Sequence, residues 1–360
     1  MKLFIILFFI TFTLAAQSDY PKNYFQSPLD IPMQLSGNFG ELRPNHFHAG
    51  FDLKTNKKEG LLVYAAADGY ISRIKITHGG YGKAIYITHP NGYTTVYGHL
   101  QSGYDAVEKY IKQEQYKAKS YEIEVFPLPT DLVVKQKEVI ALSGNTGGSE
   151  GPHLHFEIRD TKSEKIINPM YFGFDSMIKD TKKPYMMGLY AYPLDENSVI
   201  NQSKRPLLLN YIVTPDGDYI VDKIQATGKI GVGVIVQDND DVSWNTNGVF
   251  KIQSSVNGKP SFGYQFDTFA FDESKYVNAL IDYKMYKTEK KRIQKLFGKN
   301  SYPLSIINAD ENFGVINVNV NDHKAYKIEV SDFQGNILKI CIPIIYSANP
   351  VQLNEPPKTA

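Results

Sequence analysis

From His153 onward, the stretch Gly151-Pro152-His153-Leu154-His155-Phe156-Glu157-Ile158 alternates polar and apolar side chains with a period of two. A strand sends successive side chains to opposite faces, so His153 and His155 share one face while Leu154, Phe156 and Ile158 enter a core. Two imidazoles on the open face of an otherwise apolar strand suit a metal site, because neutral imidazole is a common zinc ligand.

Working outward, residues 60–100 hold the runs Leu61–Ala67, Tyr70–Ile76, Ala84–His89 and Tyr93–Leu100, separated by Asp68-Gly69, Gly79-Gly80 and Asn91-Gly92. Short β-branched and aromatic runs between such turns predict antiparallel strands and hairpins. From Ser102 the pattern becomes charged, with Ala106, Tyr110 and Ile111 at helical spacing. A helical insertion over residues 102–131 is expected before the sheet resumes near Tyr121 and Val133.

A second imidazole and a carboxylate stand four apart in His48-Ala49-Gly50-Phe51-Asp52. Gly50 and the surrounding glycines, prolines and aromatics favour a turn entering a strand over a helix. Three protein ligands plus water is the composition of a catalytic zinc site, whereas a structural site is usually closed by four and often by cysteine. The single cysteine, Cys341, lies in an isoleucine-rich strand and reads as a buried structural thiol, which excludes a cysteine-rich finger. His46 reads as supporting or solvent-facing, and His78, His89 and His323 as ordinary surface residues beside turns.

These blocks together resemble the M23, or LytM and lysostaphin type, zinc metallopeptidases over about residues 36–172. The resemblance is carried by His48–Asp52 as an HxxxD element, by Gly60–Ile71, and by Tyr81–Leu100 ending in Tyr97-Gly98-His99-Leu100. Ser143-Gly144-Asn145-Thr146-Gly147 and the HxH strand Gly151–Ile158 complete it. It implies one zinc ion (Zn2+) per chain bound by His48, Asp52 and His155, with His99 and His153 as catalytic residues beside the activated water. One of that pair would take the water's proton and the other would steady the tetrahedral oxyanion. Arg43 matches an arginine often seen upstream of HxxxD, which gives it a substrate contact or a structural salt bridge. Asn145 is a second substrate-binding candidate in a segment that also reads as plain turn chemistry. No HExxH helix is present, which disfavours a glutamate-base zinc protease.

The expected fold is mainly β: an antiparallel-sheet LytM-type peptidase domain with a helical insertion, then a β-sandwich-like C-terminal domain. Asp180–Pro184 is charged, proline-ended and linker-like, dividing a first region, 17–180, from a second, 181–350, with a tail at 351–360. In the second region Leu207–Val213, Lys229–Val236, Val315–Val320, Ala325–Val330 and Asn336–Ile345 read as strands, and Asp272–Leu296 reads as a long charged helix.

Met1-Lys2, the apolar run Leu3–Ala16 and polar Gln17-Ser18-Asp19 have the form of a signal peptide, residues 1–16, too short for a span of ~20 apolar residues. No stable membrane span is expected after its cleavage. Lys plus Arg total 39 against 38 for Asp plus Glu, so nucleic acid is not an expected partner.

The expectation is an exported endopeptidase acting on peptidoglycan stem peptides, at the D-alanyl–diaminopimelate bond, in a Gram-negative periplasm. The alternatives are a secreted bacteriolytic peptidase and a metal-binding activator without turnover. The C-terminal domain is open to glycan or to a protein partner.

Overall fold

Of the glycine-punctuated runs, Leu61–Ala67 supplies Leu62–Tyr64 to a separate three-stranded sheet with Val139–Leu142 and Ser102–Gly103, while the last three fold into one antiparallel sheet. In the computed structural model, residues 20–243, 245–299 and 303–348 are described, and the expected signal segment and the tail 351–360 lie outside them. The sheet uses β1 (Leu35–Gly37), β2 (Phe51–Lys54), β3 (Gly69–Ile76), β4 (Lys83–Thr88), β5 (Tyr93–Gly98), β6 (Ile123–Val125) and β7 (His153–Asp160). Its hydrogen-bonded order is β1-β2-β7-β5-β4-β3-β6. The histidine strand β7 is therefore central, between β2 and β5, with every backbone group able to pair.

One face of β7 fills the core. Leu154, Phe156 and Ile158 are fully buried, and Phe156 meets Tyr97 and Phe174 at ring separations of 5.5 Å. Each such side chain contributes roughly 1.5–3 kcal/mol by leaving water. The insertion forms helix α1 (Asp105–Ala118), which buries only Val107 and Ile111, four residues apart on one face. Asp105 and Glu108 in its first turn oppose the helix dipole favourably, and Lys119 ends it in the left-handed conformation.

The short strand β8 (Ile166–Ile167) closes the first half, and the second contributes β9 (Tyr185–Pro193), β10 (Ile224–Gln237), β11 (Lys251–Val256), β12 (Lys259–Gln265), β13 (Thr268–Phe269), β14 (His323–Ser331) and β15 (Ile337–Tyr346). Except for β8 and β13, these belong to one connected thirteen-stranded network. The long strand β10 serves two sets of neighbours: Ile224–Ala226 run parallel to β15, whereas Ile230–Gln237 run antiparallel to β9. Between them Gly228 has φ +77°, and a Cβ there would lie 2.7 Å from Ser198 Oγ, so the crossover requires glycine.

Three expectations are corrected. Asp272–Leu296 is not one helix but α2 (Phe271–Ser274), α3 (Val277–Leu280) and α4 (Tyr283–Glu289), followed by extended Gln294–Lys295 paired to β10. Asp282 restarts the helix by accepting the Met285 N–H, and Lys290 in the left-handed region stops it again. Cys341 is half-buried, because the period of two places it on the opposite face from buried Ile340 and Ile342. His89 is buried, not superficial: its ring turns inward to the Asp68 carbonyl at 2.8 Å and to Thr95 Oγ1 at 2.8 Å.

Chain on either side of Asp180 meets directly. β8 pairs with β13, placing Ile166 opposite Phe269, and Phe47 packs on Phe266 and Phe269 at ring separations of 5.3 and 5.6 Å. A single apolar cluster runs from Phe25 to Ile344.

Candidate metal centre

Register brings the histidines and carboxylate together. Across β2 and β7, Asp52 lies opposite His155, and across β7 and β5, His155 lies opposite Gly98. Opposed residues project from the same face, so the Asp52 and His155 side chains meet directly. Gly98 leaves the space above them: a Cβ there would sit 3.3 Å from that of His155. The next residue, His99, has φ 58°, an uncommon backbone for a residue with a side chain, and such strain gathers at functional sites.

Three donor atoms converge. His48 Nε2 lies 3.0 Å from Asp52 Oδ1 and 3.2 Å from His155 Nδ1, and His155 Nδ1 lies 2.9 Å from Asp52 Oδ1. Tetrahedral ligands about 2.0–2.1 Å from zinc stand about 3.3 Å apart, so this donor set fits that ion with little movement. The outer partners agree. His48 turns its other nitrogen, Nδ1, to the Asn38 carbonyl at 2.8 Å, and His155 turns Nε2 to Glu157 Oε1 at 2.9 Å. Each contact fixes a tautomer that leaves the converging nitrogen free as a ligand.

His99 and His153 stand beside this trio, their rings 4.6 Å apart. His99 Nδ1 is tied to the Thr146 carbonyl and His153 Nδ1 to the Gly151 carbonyl, both at 2.8 Å. Tied through Nδ1, each ring is left with Nε2 for other partners, and that of His153 already lies 3.4 Å from Asp52 Oδ1. Arg43 binds Asp52 Oδ2 at 2.8 Å and Glu41 at 2.8 Å, the geometry of its structural salt bridge. Asn145 neighbours Thr146, with a buried Oδ1 that has no hydrogen-bond partner among the described residues. His46, His78 and His323 are exposed, as expected.

Electrostatics favour a cation. Burial pushes the Asp52 carboxyl up, yet His48 together with bonds from His153, His155 and His48 holds it well below the usual carboxylate range. Burial would also lower His155, but Asp52 and Glu157 on its two sides raise it to about 9. Flanking carboxylates that stabilise an imidazolium equally stabilise a metal ion bound to the neutral ring. His99 moves oppositely: burial first, then nearby His155 and His153, bring it down to about 4, so it is a neutral acceptor at physiological pH. A groove of about 630 Å³ reaches His48 and His155 and is lined as well by Tyr81, Phe271, Ser274 and Lys275.

Residues 46–125 and 125–169 match the family model of Peptidase family M23. This chain carries an M23 peptidase domain. An uncharacterized metalloprotease of Haemophilus influenzae is 31% identical over 158 residues, 41% of this chain and 27% of its own length. The DD-carboxypeptidase/endopeptidase Mpg of Neisseria meningitidis is 37% identical over 112 residues, 31% of this chain and 20% of its own. The chain thus spans about a quarter or less of these relatives. A solved zinc-containing peptidase from Vibrio cholerae is 25% identical, covering 41% of this chain and 40% of that one with a TM-score of 0.31.

Within the M23 domain the structure adds residues that sequence reasoning passed over. Glu157 and Arg159 continue the period of two from His153 and His155 on the same face. That face is not open beyond the histidines, because Tyr81, Tyr86 and Phe271 cover it. Glu157 is fully buried and accepts from Tyr81 Oη, from His155, and from Arg159 Nε at 2.7 Å. The Arg159 guanidinium lies 4.5 Å from the ring centre of Phe271, which links the second half of the chain to the metal centre. The spacing 153, 155, 157, 159 could have revealed both residues. No sequence signal marks the Asn38 and Thr146 carbonyls.

Proposed function

We propose that this chain is a zinc metalloendopeptidase of the bacterial envelope that hydrolyses peptide cross-links of peptidoglycan. The observation that carries this reading is the convergence of His48 Nε2, Asp52 Oδ1 and His155 Nδ1 at ligand spacing, with two further imidazoles beside them. When bound there, zinc supplies Lewis acidity and brings the pKa of water down toward ~7.

The chain's own residues supply the rest. His48, Asp52 and His155 hold the ion, and Arg43 keeps Asp52 oriented through Oδ2 while Glu157 keeps His155 in its Nδ1-ligating tautomer. Nε2 of one of His99 and His153 accepts the proton of the attacking water, and Nε2 of the other donates to the oxyanion. The groove that reaches His48 and His155 is the proposed place for part of the substrate, and Phe271, Ser274 and Lys275 make the second half of the chain part of its lining.

The D-alanyl–diaminopimelate bond is the proposed target. The endopeptidase named among the relatives supports peptide rather than glycan cleavage, and the signal-like first 16 residues support export to a periplasm. Among the described residues no helix is long and apolar enough to cross a membrane.

The test is digestion of purified cross-linked muropeptide dimers by zinc-loaded protein, followed by mass spectrometry. Conversion to monomers, lost in Asp52→Ala, is expected. Intact dimers with full zinc loading would convert the reading to a non-catalytic activator, and free stem peptides would convert it to an amidase.

A further inference from the structure

A second constellation lies away from the zinc ligands, where the segment after Ile178 crosses the ends of β10 and β14. One carboxylate oxygen from each of Asp180, Asp238 and Asp332 lies within 4.8 Å of the others. Asp238 and Asp332 are buried. Among the described residues no lysine or arginine pairs with any of the three: Lys179 goes to Asp241, and Lys182 donates to the Asp240 carbonyl at 2.8 Å.

Independent of the carboxylates, Asn247 points a neutral oxygen at the same place. Asn247 and Asp238 form an antiparallel bridge through reciprocal backbone bonds of 3.0 and 2.8 Å, so their side chains leave on the same side. Asn247 is only 6% exposed, and its Oδ1 has no hydrogen-bond partner among the described residues; the same holds for Asp238 Oδ1 at 4% exposure. Buried polar atoms of this kind cost free energy unless something satisfies them. Both residues line a cavity of about 30 Å³ together with Asp180 and Asp332, room for an ion or one to two waters.

We propose that this cavity is a calcium site, with Asp180, Asp238, Asp332 and the Asn247 amide oxygen as ligands. An all-oxygen set with several carboxylates is hard-cation chemistry, unlike the imidazole-rich zinc centre. Calcium accepts an irregular shell of carboxylate and amide oxygens, whereas magnesium demands near-ideal octahedral geometry and keeps several waters, for which a cavity of about 30 Å³ has little room. Burial and mutual repulsion also push these carboxyls upward, Asp180 to about 6 and Asp238 to about 8, a penalty that a bound dication removes. The ligands come from the linker after Ile178, the end of β10, the strand-like segment at Asn247 and the turn after β14. Calcium would therefore fasten the linker to the second half of the chain, while Asn38, which exchanges bonds of 2.6 and 2.9 Å with Gly248, ties the first half to the same corner.

The test is calorimetric titration of calcium into zinc-loaded, calcium-depleted full-length protein, with magnesium in parallel and thermal unfolding on the same samples. One calcium per chain is expected, with Tm rising roughly 2–4 °C for each tenfold excess over Kd. Asp238→Asn should lose at least tenfold in calcium affinity with zinc content unchanged, and should melt higher than the parent in calcium-free buffer because the amide is buried without first having to take up a proton. Should it fail to fold, Asp180→Asn, at a half-exposed position, carries the same expectation for affinity. No calcium heat and no Tm shift in the parent would overturn the proposal, as would magnesium binding equally well or calcium binding undiminished in the variant.

Discussion

Replacing Glu157 by Gln separates what this buried carboxylate does for the metal from what it does for the fold. In the parent, Oε1 accepts from His155 Nε2 at 2.9 Å and from Tyr81, while Oε2 accepts from Arg159 Nε and Nη2 at 2.7 and 2.6 Å. Arg159 leads the effects that outweigh burial and hold the Glu157 pKa at about 2, so the group is charged throughout the physiological range. The amide keeps the shape but loses the charge. If its oxygen faces His155, its NH2 meets a guanidinium that has only donors to offer.

Losing the anionic partner of a metal-binding histidine typically weakens metal by about 10–100-fold, or roughly 1.4–2.7 kcal/mol. Leaving Arg159 buried without its counterion costs about 3–5 kcal/mol of stability in the zinc-free protein. A chelator competition gives the zinc Kd, and urea unfolding of the apo protein gives the stability. The double variant Glu157→Gln/Arg159→Gln should regain much of the stability, since no lone charge remains, but not the zinc affinity. A single variant that folds and binds zinc within about twofold of the parent would refute the reasoning that Glu157 orients His155.

His99→Ala and His153→Ala should each keep zinc yet lose roughly 10²–10⁴-fold in turnover on cross-linked muropeptides, and near-parent rates in both would remove them from the mechanism. His89 is held at about 4 chiefly by burial, against an ordinary 6.5, so the unfolded chain takes up a proton as pH falls through 6.5 while the folded chain does not until about 4. Its contribution is thus intact above pH 6.5 and is lost on acidification toward pH 4, up to roughly 3 kcal/mol; His89→Gln should flatten the urea midpoint across that window, and an unchanged pH profile would deny the effect. A fragment ending at Asp180 keeps every proposed zinc and proton-transfer residue but strips Phe266 and Phe269 from Phe47, so it should bind zinc while melting below the full chain; equal melting would show that the shared core contributes nothing.

The period of two in the His153 strand was legible because a central strand buried on one face cannot hide its alternation, and the glycine turns set the neighbouring strands on either side of it. The approach of His48 and Asp52 to His155 across 103 residues or more was not readable from spacing, since it depends on which strands pair; the resemblance supplied it. His89 and Cys341 misled for local reasons. A turn-adjacent histidine can fold its ring inward to a carbonyl, and an isoleucine-rich strand buries only alternate positions. The broken helix at 271–289 failed because the Asp282 cap interrupts a run whose charge pattern looks continuous.

The account rests on zinc held by His48, Asp52 and His155, and elemental analysis of the purified parent beside Asp52→Ala tests it most directly. One zinc per parent chain and a largely depleted variant are predicted. Full zinc in Asp52→Ala, or a parent that binds none when supplied with zinc at neutral pH, would contradict it.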